Sequence, residues 1–252
     1  MEQLIGPALA GLAILAGGLV KGATGMGAPL IAVPVMASIY NVPTAIAVMT
    51  VPLVVSNLWQ IWQYRGAREG REALWWLLAG CLPGVVAGTF LLGLLDEAWL
   101  SLMLAALVLV YLALRWLKAD FVIPPARARN LSLPVGLFTG ILQGAAGMTS
   151  AIGVTFIHAQ RLPRQAYVFA VSVMFTALSA TQLLSLSAIG LMSWHLAFLS
   201  AAALIPIMLG VWLGQKLSDR VSQRTFDRLT EAVLLLVAIG LIVSGVSELL
   251  RA

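Results

Sequence analysis

Residues 22–34 read Gly22-Ala23-Thr24-Gly25-Met26-Gly27-Ala28-Pro29-Leu30-Ile31-Ala32-Val33-Pro34, and an echo, Gly144-Ala145-Ala146-Gly147-Met148-Thr149-Ser150, follows 122 positions later. Four of the first five positions match, and the register extends outward to Gly18 on Gly140, Lys21 on Gln143 and Gly27 on Thr149. Self-similarity at one fixed offset marks a duplicated unit. With small slips, Asn41-Val42-Pro43 parallels Arg161-Leu162-Pro163, Pro83 and Gly88 parallel Pro206 and Gly210, and Leu95-Asp96 parallels Leu217-Ser218-Asp219. The sequence therefore predicts two related halves, 1–120 and 131–252, joined by a linker at 121–130.

The medium in which the halves fold follows from composition. The chain has 252 residues, 61% of them hydrophobic and 10% charged, with a mean hydropathy of +0.98. A soluble domain carries about 25% charged residues, so the sequence predicts an integral membrane protein. Apolar segments run over 4–20, 28–39, 43–63, 73–94, 98–117, 131–143, 150–158, 166–187, 194–215 and 229–250. Most approach the roughly 20 residues that a crossing helix needs. Segments 28–39, 131–143 and 150–158 are shorter and read as half-spans or arms of re-entrant hairpins. Polar and apolar residues do not alternate with a period of two, which favours helices over a β-barrel. Met1-Glu2-Gln3 lacks the basic start of a signal peptide, so the first apolar segment is expected to be retained.

Charge orients the spans. Thirteen of the 15 Lys and Arg residues lie in four stretches: Arg65, Arg68 and Arg71; Arg115, Lys118, Arg127 and Arg129; Arg161 and Arg164; Lys216, Arg220, Arg224 and Arg228. The loops near 40–43, 95–97 and 187–193 hold none. The positive-inside rule puts the first set in the cytoplasm and the second outside. Both are satisfied when 131–158 is a hairpin that starts and ends inside, and when 4–39 is one that starts and ends outside. The expected fold is all-α and polytopic: two inverted repeats, each a glycine-broken helical hairpin followed by three transmembrane helices, with 121–130 cytoplasmic. The net charge of +5 is then a topology signal and no nucleic-acid footprint. Most tryptophans fall near span ends, as an interfacial belt would.

Gly22, Gly25, Gly27, Gly144 and Gly147 sit at mid-hydrophobic positions, where each costs about 1 kcal/mol against alanine in a helix interior. One reading is a broken backbone facing a protein-lined cavity, whose half-helix N-terminus attracts an anion. The other is close helix packing through small residues. Lys21 lies deep in the first apolar segment, far from any loop. Placing an ammonium there costs about 2.5–3.5 kcal/mol, and it makes sense as the counter-charge of an anionic substrate, with Gln143 offering a neutral donor from the second half. A lysine snorkelling to the surface is the plainer account. Thr24, Met26, Met148, Thr149 and Ser150 belong to the breaks themselves. Asn57 and Gln60, and Thr176, Ser179 and Gln182, lie at helical spacing on the span after each hairpin. Interhelical hydrogen bonding would also explain these.

The sequence Gly22 to Pro34 with its echo from Gly144 to Phe156 resembles the sulfite exporter TauE/SafE family of membrane permeases. Size, the two halves, the Asn-Val-Pro at 41–43 and the Pro83 to Gly88 spacing carry the likeness across essentially the whole chain. The resemblance implies movement of small sulfur-containing anions, such as sulfite, sulfoacetate or other organosulfonates, across the bacterial inner membrane. It maps the family motif onto Gly22, Gly25 and Gly27; Thr149 replaces the third glycine in the second half. The expectation is a secondary transporter working by alternating access, with the anion held at the two breaks, or alternatively an anion-selective channel. The residues expected to hold the anion are Lys21, Gly22, Thr24, Gly25, Met26, Gly27 and Asn57 in the first half, and Gln143, Gly144, Gly147, Met148, Thr149, Ser150 and Ser179 in the second. Every Asp and Glu lies at a span end or in a loop, which disfavours a carboxylate proton relay. An intramembrane enzyme would need a nucleophile with its base, paired carboxylates or a His-Glu-x-x-His metal site; the sequence offers none, and no cofactor or metal is expected. The expected partners are the small anion and the lipid bilayer; a homodimer is compatible with the sequence.

Overall fold

The computed structural model describes residues 2–24, 28–67, 69–116, 122–147, 150–217 and 223–250. They form α1 (Glu2–Thr24), α2 (Ala28–Ile39), α3 (Val42–Gln63), α4 (Arg71–Leu94), α5 (Glu97–Trp116) and α6 (Pro125–Ala146). A π-helical turn, Ser150–Val154, leads into α7 (Thr155–Ala159), then α8 (Arg164–Ala188), α9 (Trp194–Ala202), α10 (Leu204–Leu217) and α11 (Gln223–Leu249). Among the described residues six stretches are long and apolar enough to cross a membrane: Ile5–Ala23, Val42–Gln63, Arg71–Leu94, Arg164–Ala188, Trp194–Leu217 and Glu231–Leu249. The all-α, polytopic class read from the sequence is the class observed.

Many of the largest apolar side chains face outward, including Leu94, Phe198, Ile205 and Leu236, together with Trp59, Trp62, Trp75, Trp99 and Trp194. In water this would be a severe liability. In lipid it is the solvated surface, and the interior must be held by packing and hydrogen bonds.

Two helix pairs supply the closest packing. On the α4–α6 pair, a Cβ on Gly80, Gly84 or Gly88 would overlap the carbonyl oxygens of Leu133, Leu137 or Ile141. In return, Cβ atoms on Gly136, Gly140 and Gly144 would overlap those of Leu77, Cys81 and Val85. The α1–α10 pair repeats the device, with Gly18 and Gly22 against Ile207 and Val211, and Gly210 and Gly214 against Leu15 and Leu19. Backbones meeting this closely gain dispersion contacts that lipid cannot match. Gly22 and Gly144 therefore lie inside helices, packed against a partner helix. Helix α1 continues to Thr24 and α6 to Ala146, where Gly147 takes the left-handed conformation (φ 67°) and its N–H caps Gln143 O.

The short segments also need correction. Segment 131–143 is the middle of α6, a 22-residue helix that begins at Pro125. Residues 125–130, expected in the linker, are its first turns, because Pro125 presets the first helical φ and has no N–H to leave unsatisfied. At about 1.5 Å per residue, α1 and α6 are each long enough to cross the hydrocarbon core. Helices α2 and α7 remain short.

Both hairpins return to the end at which they began. Ile123 N, just before α6, donates to Ala159 O at the end of α7 at 2.8 Å. Gly6 of α1 lies against Tyr40, just past α2. The α6 opening also holds Arg129, 3.2 Å from Glu72 at the start of α4. Arg71 stacks 5.2 Å over Phe169, near the start of α8. The α1–α2 opening lies where α3 begins, and there Val42 N donates to Glu97 Oε1 of α5 at 2.9 Å. Since α3 separates the two ends, the hairpins open at opposite ends of the bundle.

Proline in α3 is accommodated by a side chain from elsewhere. Pro52 has no N–H for Val48 O, its partner one turn back. Ser200 Oγ of α9 fills that role at 2.8 Å and accepts from Val51 N at 3.2 Å.

Candidate functional site

Helices α3 and α8 pack against each other through the middle of the bundle. Both carry polar residues that bury completely or nearly so: Ser56, Asn57 and Gln60 on α3, and Ser172, Ser179 and Gln182 on α8. Spacings of three, four or seven residues keep Ser56 and Gln60, Asn57 and Gln60, and Ser172, Ser179 and Gln182 near one face of their helices. A buried polar atom in lipid must find a partner, and the partners describe the site.

Lys21 is only 1% exposed. Its Nζ donates to Asn57 Oδ1, and Asn57 Nδ2 donates in turn to Leu53 O at 2.7 Å. The ammonium thus meets a neutral amide oxygen, and no described carboxylate neutralises it. Lys21 lies in the last turn of α1, where the negative end of the helix dipole favours a cation. The N-terminus of α2 is close by, because Ala28 packs on Gly17, one turn before Lys21. Lys21 and Asn57, placed on separate spans by the sequence, are brought into contact.

Gln143 occupies the matching place in the second half with a different outcome. Its Nε2 donates to Gln182 Oε1 at 2.8 Å. Gln182 Nε2 donates back to Gln143 O at 3.0 Å and to Gly144 O at 3.2 Å. These carbonyls belong to the last turn of α6, where helical donors run out; Gln143 O also accepts from Gly147 N at 2.8 Å. Gln182 is thus a side-chain cap for α6, and the Gln143 amide is engaged in the same knot. The two positions matched by the sequence offset thus have different described partners, Asn57 for Lys21 and Gln182 for Gln143.

Ser172 Oγ donates to Gln60 Oε1 across the α3–α8 seam at 3.1 Å. Gly147, beyond α6, lies against Ile46 of α3 and Val33 of α2, so the second break abuts first-half helices. Ser179 is fully buried on α8. Gly25, Met26, Gly27, Met148 and Thr149 lie outside the described residues, as do the side chains of Thr24 and Ser150. Sequence reasoning missed Ser172 and Ser200. A signal was present for each: Ser172 continues the spacing of Thr176 and Ser179, and Pro52 demands an outside donor for Val48 O.

A bundle of apolar helices with a buried cation and an amide-rich central seam is the architecture of a multi-pass membrane transport protein. The chain belongs to the sulfite exporter TauE/SafE family, whose model matches residues 9–241. No curated protein and no solved structure matches the chain.

Proposed function

We propose that this protein is a secondary transporter that moves a small sulfur-containing anion, sulfite, sulfoacetate or another organosulfonate, across the bacterial inner membrane by alternating access. The observation that carries this reading is Lys21, a buried cation whose described contact is the neutral Asn57. A bilayer interior penalises such a charge unless a partner or function offsets it. An anion arriving beside Lys21 would supply the missing negative charge, and Asn57 Oδ1 would hold the ammonium between transport events. The N-terminus of α2 adds favourable dipole charge nearby.

The inverted-repeat reading, with halves 1–120 and 131–252, is part of the proposal. It is supported by the order of elements: displaced by the sequence offset, α1 falls on α6, α2 on the π-turn and α7, α3 on α8, α4 on α9 and α10, and α5 on α11. The hairpins opening at opposite ends agree with it. The glycine seams join each hairpin to a helix of the other half, α1 with α10 and α6 with α4. Movement would then occur between the α1–α2–α10 and α4–α6–α7 bodies, with the α3–α8 seam between them.

The test is uptake of labelled sulfite and sulfoacetate into proteoliposomes, comparing wild type with Lys21→Ala and Lys21→Gln. Saturable uptake with counterflow is expected for wild type, and at least tenfold less for both variants, given the 1.5–3 kcal/mol of a charged hydrogen bond. Saturation unchanged in both variants would remove Lys21 from the site and end this reading. Flux that rises linearly without counterflow would assign an anion-selective channel.

A further inference from the structure

A buried hydroxyl in a helix ordinarily returns its proton to a carbonyl one turn back. Here Thr50 donates to Ala47 O at 2.7 Å and Ser132 to Ala128 O at 2.6 Å. Thr176 and Ser179 of α8 do neither this nor anything else: their Oγ atoms are enclosed and make no hydrogen bond to any described residue. Ser179 is fully buried. Such a donor is costly to leave unmade in an apolar medium.

Their position gives them a use. Residues 172, 176 and 179 share one face of α8 by their spacing, and Ser172 turns that face to α3 by donating to Gln60 Oε1 at 3.1 Å. On α3, Gln60 follows Asn57 by three residues, and Asn57 holds Lys21. The two unpartnered hydroxyls therefore belong to the seam that carries the buried ammonium. Thr89 and Thr139 also lack a partner among the described residues. They sit on α4 and α6, and no described residue of either helix bonds to Asn57 or Gln60.

We infer that Thr176 and Ser179 are the second half's donors to the transported anion, completing with Lys21 a site for a sulfur oxyanion. The inference rests on the transport reading above and deepens it. Sulfite and sulfonates present three oxygens with several lone pairs each, more acceptor positions than the three N–H bonds of one ammonium can fill. Lys21 supplies the charge, and the two hydroxyls supply directional, neutral donors that are empty-handed until the anion arrives. Gln143 already gives one N–H to Gln182 Oε1.

The experiment measures uptake of labelled sulfite and labelled sulfoacetate in proteoliposomes for wild type, Thr176→Val, Ser179→Ala, Lys21→Ala and Thr89→Val. Thr176→Val and Thr89→Val are the same isosteric exchange at two buried, unpartnered hydroxyls, so Thr89→Val reports what the exchange alone does to the fold. Thr176→Val and Ser179→Ala are each expected to raise the half-saturation concentration roughly tenfold with the maximal rate retained, while Thr89→Val matches wild type. If Lys21→Ala is impaired but Thr176→Val and Ser179→Ala match wild type, the inference is wrong and the transport reading stands. If Lys21→Ala also matches wild type, or wild type takes up neither labelled sulfite nor labelled sulfoacetate, both fall. An equal loss in Thr89→Val would assign the effect to packing and overturn the inference.

Discussion

Single residues in this protein matter through what they leave unpaired. Ser200 is the plainest case, because its hydroxyl replaces the N–H that Pro52 lacks, serving Val48 O at 2.8 Å. Ser200→Ala should lower stability by about 1–3 kcal/mol, the cost of an orphaned buried carbonyl. Thermal unfolding in detergent would measure it. Pro52→Ala in the same background restores a main-chain donor and should recover part of the loss, a non-additivity that a double-mutant cycle detects; strict additivity would show that the two residues do not compensate one another. Gln143 makes a contrasting case. Gln143→Ala should lower the unfolding temperature through the lost Gln182 contact while leaving the half-saturation concentration for sulfite near that of wild type. A large rise in that concentration would return Gln143 to the substrate. Lys21 was legible in the sequence because a charge so far from any loop needs a reason. The separate employment of Gln143 was not, since it depends on Gln182, 39 residues away, reaching the last turn of α6.

At the scale of helices, the glycines decide which pairs form. Glycine is a poor helix former taken alone, so a reading by propensity takes Gly22 and Gly144 for breaks. Propensity omits the partner: both residues lie within helices, where the missing Cβ admits the backbone of α10 or α4. The start of α6 was hidden for a related reason, since Arg127, Arg129 and Asn130 look like linker residues although a helix that emerges from the bilayer can carry them. Gly140→Val should destabilise the protein by about 1–3 kcal/mol or more through overpacking against Cys81 and Val85, read as a fall in unfolding temperature. Gly240 on α11 has nothing within 4 Å of an added Cβ, so Gly240→Ala should be neutral or stabilising by up to about 1 kcal/mol. Equal effects at the two positions would refute the packing account of the seam.

For the whole molecule, apolar lengths and the repeat offset are visible in the linear sequence, whereas the exchange of helices between the halves is not. The contacts tie α1 to α10 and α6 to α4. Topology is open to direct test. With the basic loops in the cytoplasm, a reporter fused after Ala252 should be active only outside, and a cysteine placed at Gly66 in a Cys81→Ser background should resist a membrane-impermeant thiol reagent added from outside. A cytoplasmic C-terminus would overturn the proposed orientation.

The exchange has a consequence for biosynthesis. The partner surface for Gly18 and Gly22 is the run from Ile207 to Gln215, near the end of the chain. Helix α1, made before α10, must therefore wait in the membrane with its lysine while the helices between them are made. A chain stopped before α10 should be degraded faster than the full chain in a pulse-chase, and a co-expressed segment containing α10 and α11 should slow that loss. Equal half-lives would show that α1 is held some other way. Among the described helices, the earliest to be translated would be among the last to be locked in place.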